Sequence, residues 1–250
     1  MILPTPHPLA RPVADDCRAL VAQPGLPFAD QIPAAQIHDA CRGLGAPFRD
    51  RVYTPAVTLL TFLHQCLDPD PSCRQAVSRL LAHRAALGLP DCSGDAGAYC
   101  KARRRLPEGL LRALARRTGR GLMDNAEGQW LWKGRRVKVV DGTCLSMPDT
   151  PANQAEYPQP AKIAPGLGFP LLRLVVVFCL SSGAALGAAM GRYQGKGTGE
   201  VSLFRGLGDA LEAGDVLLGD RIYCNYWDVA RARARGVDVV MRLHPGRKKV

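Results

Sequence analysis

Apolar residues recur at three- and four-residue spacing from about residue 33 to residue 122, the period of helices that each bury one face. Val57, Leu59, Leu60, Phe62 and Leu63 form one such stretch. Val77, Leu80, Leu81 and Leu87 form a second, and Leu110, Leu111, Leu114 and Leu122 a third. Start signals stand where each stretch begins. Pro33 opens a helix towards Gly43, Thr54-Pro55 supplies an N-cap and a first helical proline, Ser72 and Ser93 cap two more, and Pro107 opens the last. Gly88 and Pro90 stop the helix that Ser72 begins. An all-helical region is therefore expected, behind a proline-rich segment at residues 1–30.

From Trp130 the period shortens towards two. Trp130-Leu131-Trp132, a Lys133-Gly134-Arg135 turn and Val137 to Val140 read as a hairpin. A polar, proline-rich loop spans roughly Ser146 to Gly168. Leu171 to Leu180 and Ala184 to Tyr193 read as a buried strand and its hairpin partner around Ser181-Ser182-Gly183. Gly199 to Ala213 reads as a helix, Val216 to Asp220 as a strand, Asn225 as the cap of a helix through Trp227, Val229 and Ala230, and Val237 to Leu243 as a final strand. No charge interrupts Leu174 to Gly191, 18 residues. A membrane span needs about 20 sustained apolar residues, and the central Ser-Ser-Gly favours two strands instead.

The predicted order, strand-strand-strand-helix-strand-helix-strand, makes an α/β domain over residues 129–250 behind a helical domain over 31–128. Three antiparallel strands followed by crossover helices and parallel strands resemble the ribonuclease H-like fold. In that mixed sheet the first strand is central and the fourth lies beside it in parallel. Asp141 and Asp220 then sit at the carboxyl ends of strands about 4.8 Å apart, the edge where open α/β sheets bind ligands. Two acids so placed suit Mg²⁺ or Mn²⁺, which take hard oxygen ligands and support in-line displacement at phosphorus.

Charge adds a partner. The chain carries a net +11, which favours a polyanion. Between Lys101 and Lys138 twelve Lys/Arg face three acids, Glu108, Asp124 and Glu127. Most of the excess thus falls in one band ahead of the first acidic strand. Tyr99, Lys101, Arg103, Arg104 and Arg105 on one predicted helix, and Arg112, Arg116, Arg117 and Arg120 on the next, are the candidate DNA-binding residues. They suit phosphate contact better than base reading. The pair of helices from Ser72 and Ser93 resembles a helix-turn-helix only loosely, since six residues separate them against the usual 3–4-residue turn.

Nine cysteines without a C-x-x-C pair and five scattered histidines suggest reduced thiols in a cytoplasmic protein rather than a zinc site or a secreted scaffold. The start of the chain carries no charged signal-peptide region, and no membrane association is expected. Gly191-x3-Gly195-Lys196 does not meet the spacing of a phosphate-binding Walker loop. Tyr223, Tyr226 and Trp227 read first as packing residues of the following helix, with stacking on an unpaired base as the alternative.

Longer motifs carry a further resemblance. Val139-Val140-Asp141-Gly142-Thr143, Ser146-Met147-Pro148-Asp149-Thr150, Gly195-Lys196-Gly197-Thr198-Gly199-Glu200 and Leu218-Gly219-Asp220-Arg221-Ile222-Tyr223-Cys224 look like bacterial DDE transposases of the insertion-sequence-four type. Phe48 to Pro55 and Ala98 to Arg103 extend the similarity into the helical region. The resemblance implies a cut-and-paste enzyme acting on transposon-end and target double-stranded DNA in the bacterial nucleoid. It implies Asp141 and Asp220 as the first two catalytic acids, and a homodimer as a candidate assembly. The family's third acid stands in a Tyr-x2-Arg-x3-Glu-x6-Lys signature. None of the five glutamates here lies in one, so the expectation is a truncated transposase with an incomplete site. Glu200 reads first as a helix N-terminal acid favoured by the dipole, although ribonuclease H enzymes take a metal-binding Glu from that element. The alternatives are a non-catalytic DNA-binding or dimerising fragment that inhibits the full enzyme, and a ribonuclease H-type nuclease.

Overall fold

The computed structural model describes residues 25–243, together with Asp15 and Ala19. The proline-rich segment expected over residues 1–30 lies almost wholly outside these residues. The chain forms two compact units, Met1–Ala113 and Leu114–Val250.

In the first unit the expected helices form: α1 Ala34–Gly43, α2 Pro55–Leu67, α3 Cys73–Ala86, α4 Ala96–Arg105 and the start of α5 Glu108–Asp124. Thr54 Oγ1 accepts from Val57 N at 3.3 Å and Ser72 Oγ from Gln75 N at 3.1 Å, each satisfying a helix donor that would otherwise lack a partner. The cap of α4 differs from expectation. The helix begins at Ala96, so Asp95 holds the cap position and accepts from Gly97 N at 3.2 Å. Ser93 stands one step back and accepts from Asp95 N. Ile37, Leu59, Leu60, Val77, Leu80, Tyr99 and Leu110 are buried, and each such aliphatic side chain contributes about 1.5–3 kcal/mol.

The second unit is built on a five-stranded mixed sheet with the order β3-β2-β1-β4-β5. The strands are β1 Val137–Ser146, β2 Leu171–Cys179, β3 Ala185–Arg192, β4 Val216–Gly219 and β5 Asp238–Met241. β1 pairs antiparallel with β2 and parallel with β4, β2 pairs antiparallel with β3, and β4 pairs parallel with β5. The uncharged run is the β2–β3 hairpin, turning at Gly183 with φ +68°. No helix among the described residues is long and apolar enough to cross a membrane. Helices α6 Pro151–Glu156, α7 Glu200–Arg205 and α8 Tyr226–Ala234 complete the unit. Val140, Val175, Val177, Phe204, Leu207, Leu217, Tyr223 and Val237 form its core.

Four expectations are corrected. The hairpin arm at Trp130 to Trp132 is not a strand. Gly128–Trp130 is a 3-10 turn, and Trp132 and Arg135 exchange only one pair of backbone hydrogen bonds across Lys133-Gly134. The reason is topological: β2 and β4 already occupy both edges of β1. The predicted helix Gly199 to Ala213 is two pieces, α7 and a 3-10 turn at Gly208–Ala210, because Gly206 and Gly208 interrupt it. The loop after Ser146 contains α6, capped by Thr150 Oγ1 accepting from Asn153 N at 3.2 Å. The last turns of α5 belong with the sheet and not with the preceding helices, since Met123 is buried with Cys179 and Leu186. A Cβ at Gly119 would stand 2.1 Å from Ala185 O, so the helix backbone lies directly on the hairpin.

Candidate active site

The sheet register fixes the relation of the two acids. Val140 pairs with Gly219 in the last rung that β1 shares with β4. Asp141 is the next residue of β1 and Asp220 the first residue past the end of β4, so both stand at the same edge of the sheet, one step beyond that rung. β1 does not end at Asp141, as its apolar run suggested. It continues to Ser146 against β2, with Asp141 opposite Val176, while β4 stops and turns away. Asp141 therefore marks the point where β1 loses its parallel neighbour, and the strand is mostly exposed beyond it.

Each aspartate is held locally. Asp141 Oδ1 accepts from Gly142 N at 2.8 Å, and Asp220 Oδ1 accepts from Ile222 N at 2.6 Å. Among the described residues Asp220 makes no ion pair with Arg221, the ordinary alternative for such an acid.

A third carboxylate stands beside them. Glu200 is the first residue of α7, and its side chain lies against Gly142. A Cβ on Gly142 would stand 2.6 Å from Glu200 Cδ and 2.9 Å from its Oε2. Gly142 is thus a strand residue whose missing side chain makes room for an acid, rather than part of a turn.

Tyr223 ties the three together. Its ring is 1% exposed and packs edge-on against Phe204 with centroids 5.6 Å apart. Burial first, then the charges of Glu200, Asp141 and Asp220, raise its hydroxyl above the ordinary phenol value of 10.0. The hydroxyl faces Glu200 but completes no hydrogen bond of ordinary geometry with any described residue. A buried unpaired hydroxyl is costly, and here it feels the charges of three acids.

These donors fit a hard divalent cation in an open setting. Among the described residues no three acid, His or Cys side chains converge into a ready-made cage. Mg²⁺ is commonly held by one or two carboxylates, with water and substrate phosphate completing its shell, which is what Asp141 and Asp220 offer.

A buried ion pair braces the other end of the same strands. Lys138 Nζ lies 2.7 Å from Asp215 Oδ2 and donates to Ala210 O at 2.8 Å, with the two side chains 1% and 4% exposed. Asp215 Oδ2 also accepts from Glu212 N. β1, β4 and the segment after α7 are thereby joined at one point.

The candidate DNA-binding residues divide. Tyr99 is fully buried and its hydroxyl donates to Gln65 Oε1 at 2.7 Å. Arg103 donates to the same oxygen at 2.9 Å and lies over the Phe62 ring at 5.1 Å. Both are turned into the helical core and leave the basic face. Lys101, Arg104 and Arg105 remain exposed on α4. On α5, Arg117 and Arg120 are exposed, Arg116 is half-buried, and Arg112 pairs with Glu108 at 2.6 Å.

A cavity of about 570 Å³ lies between α6 and the loop at 159–166. Asp141, Asp220 and Glu200 do not line it, and Gln154 and Gln159 spend their amides on nearby backbone carbonyls. No protein-family model matches the chain, and no curated protein matches it.

The sequence named Asp141 and Asp220 as candidates, read Glu200 first as a helix N-terminal acid and Tyr223 first as a packing residue, and did not show that Glu200 lies against Gly142. A signal for that contact was present: a glycine directly after a strand acid, and an acid as the first residue of a helix.

Proposed function

We propose that the chain is the phosphodiester-processing part of a DNA transposase with a ribonuclease H-like sheet, using Asp141, Asp220 and Glu200 at its carboxyl edge. The observation that supports this reading is the Val140–Gly219 rung, after which Asp141 and Asp220 follow at one sheet edge, with Glu200 against Gly142. The net +11 and the exposed cations of α4 and α5 support a DNA substrate.

Asp141 and Asp220 would hold Mg²⁺ or Mn²⁺. Such an ion, when bound, activates an attacking water or 3′-hydroxyl and stabilises the leaving oxygen. The protein's own part is placement. The hydrogen bonds from Gly142 N and Ile222 N hold one oxygen of each aspartate. Glu200, brought in by the open space at Gly142, adds a third negative oxygen donor that can orient an incoming hydroxyl. Tyr223 stays protonated at working pH and presents a donor beneath the acids. Without a cation the three negative charges repel a phosphate, so binding at this edge depends on metal.

Cleavage of duplex DNA by the full chain in Mg²⁺ or Mn²⁺ tests the reading. Strand scission that disappears in both Asp141→Asn and Asp220→Asn is expected. Absence of cleavage with either metal, or activity surviving both substitutions, would overturn it. Duplex binding should weaken steeply with salt, as phosphate contacts release counterions.

A further inference from the structure

Immediately after Asp220 the chain exposes apolar surface that its own fold leaves bare. Ile222 is 45% exposed, Tyr226 78% and Trp227 75%. Helix packing was the simplest expectation for these aromatics, and it holds only for Tyr223. Exposed aromatics grouped beside a polar site are uncommon on a finished surface and mark contact with a partner.

Their mounting is rigid. Tyr226 and Trp227 occupy the first turn of α8, with ring centroids 5.5 Å apart at 80°. Asn225 caps that turn by accepting from Asp228 N at 3.0 Å. Asp228, almost buried, accepts two hydrogen bonds from Arg205 at 2.8 and 3.1 Å, and Arg205 closes the helix that Glu200 opens. Arg205 first, then Asn225, hold the Asp228 carboxyl below its ordinary value against the effect of burial. The same short helix therefore carries the third acid at one end and anchors the aromatic pair at the other. Asp220 is joined to the pair through Tyr223, whose carbonyl accepts from Asn225 N at 2.9 Å.

We propose that Tyr226 and Trp227 are a stacking platform for an unpaired base of the nucleic-acid strand whose phosphate reaches Asp141 and Asp220. The proposal rests on the phosphodiester-processing reading and deepens it. Edge-to-face packing sets the edge of one ring against one face of the other and leaves most of both side chains exposed, and every base has a face to lay on an open ring face. Paired bases in a duplex do not offer those faces, so the platform favours single-stranded or locally opened DNA.

The test uses the full chain in Ca²⁺, which takes the same hard oxygen ligands as Mg²⁺, and a short single-stranded DNA carrying one 2-aminopurine. Stacking should quench the probe's fluorescence. The double variant Tyr226→Ala, Trp227→Ala should lose the quenching and bind single strands about tenfold more weakly, with duplex affinity unchanged, while Trp227→Phe keeps most of the quenching. Unaltered quenching in the double variant overturns the proposal, and so does equal weakening for single-stranded and duplex DNA. If the double variant instead changes the oligomeric state and leaves quenching intact, the aromatics are a protein interface and the platform is likewise overturned. Cleavage is not read, so loss of the platform leaves the acidic-site reading standing. Quenching by a chain that fails to cleave in Mg²⁺ overturns that reading instead.

Discussion

Tyr99 in the helical unit and Tyr223 in the sheet unit are buried to nearly the same degree, 0% and 1% exposed, and their hydroxyls meet opposite fates. Tyr99 donates to Gln65, which Arg103 also bonds, while Gln65 Nε2 donates to Pro71 O at 2.6 Å. Every polar group there has a partner from another element, and the network closes on itself. Tyr223 feels the charges of three carboxylates and completes no hydrogen bond of ordinary geometry. A satisfied buried network holds a fold together. An unsatisfied hydroxyl under uncompensated acids marks a place kept ready for something the chain does not itself supply.

The largest effect that would break this contrast lies at the acids. Asp141→Asn or Asp220→Asn should reduce metal-dependent cleavage about 10³-fold, the loss expected when several kcal/mol of transition-state stabilisation go. Both side chains are exposed, so the melting temperature should hardly move. A comparable melting loss would make them structural.

Lys138→Met should be the most damaging single change for stability, at about 3–5 kcal/mol, because Asp215 is left charged, buried and alone. In a domain of this size that is roughly 10 °C in Tm. Replacing Asp215 by Leu in the same chain should recover most of it, which thermal unfolding of the single and double variants will show.

Gly142→Ala comes next. The added methyl would overlap Glu200 Cδ at 2.6 Å and push the carboxylate off the site. Cleavage should drop about tenfold, about 1.4 kcal/mol, with folding little changed. Full activity would exclude Glu200 from the chemistry.

The smallest effects compare the tyrosines themselves. Tyr99→Phe breaks a completed network and should cost about 1 kcal/mol, whereas Tyr223→Phe removes an unpaired hydroxyl and should be neutral or slightly stabilising. Both phenols should also titrate late. Burial, only partly offset by Arg103, pushes Tyr99 up to about 12 from 10.0, and burial with the three acids raises Tyr223 as well. A raised folded value means the native state holds its proton longer than the unfolded chain. The stability linked to Tyr99 is thus complete below pH 10 and falls as pH rises towards 12. Absorbance titration of the phenols at alkaline pH checks this, and ordinary titration of both would remove the contrast.

Local signals carried well wherever neighbours in sequence settle the outcome. Thr54, Ser72 and Asn225 cap the helices they announce, and the Ser-Ser-Gly turn divides the uncharged run into β2 and β3. The same signals misled where distant elements compete for one place. Trp130 to Trp132 alternates like a strand, yet both edges of β1 are taken. Tyr99 and Arg103 share a basic segment with Lys101, Arg104 and Arg105, yet a glutamine on α2 draws them inward. Exposed Tyr226 and Trp227 carry the apolar character of packing residues and pack on nothing described here.

By itself the sequence determined the helical and sheet regions and the order of the strands, because periodicity, caps and glycines act over a few residues. The tertiary structure alone decided that Asp141 and Asp220 follow the same Val140–Gly219 rung and that Glu200 occupies the gap at Gly142. It also buried Tyr223 where the charges of all three reach its hydroxyl. Those relations join residues up to about eighty positions apart, and only the packing of helices onto a sheet brings them within reach of one another.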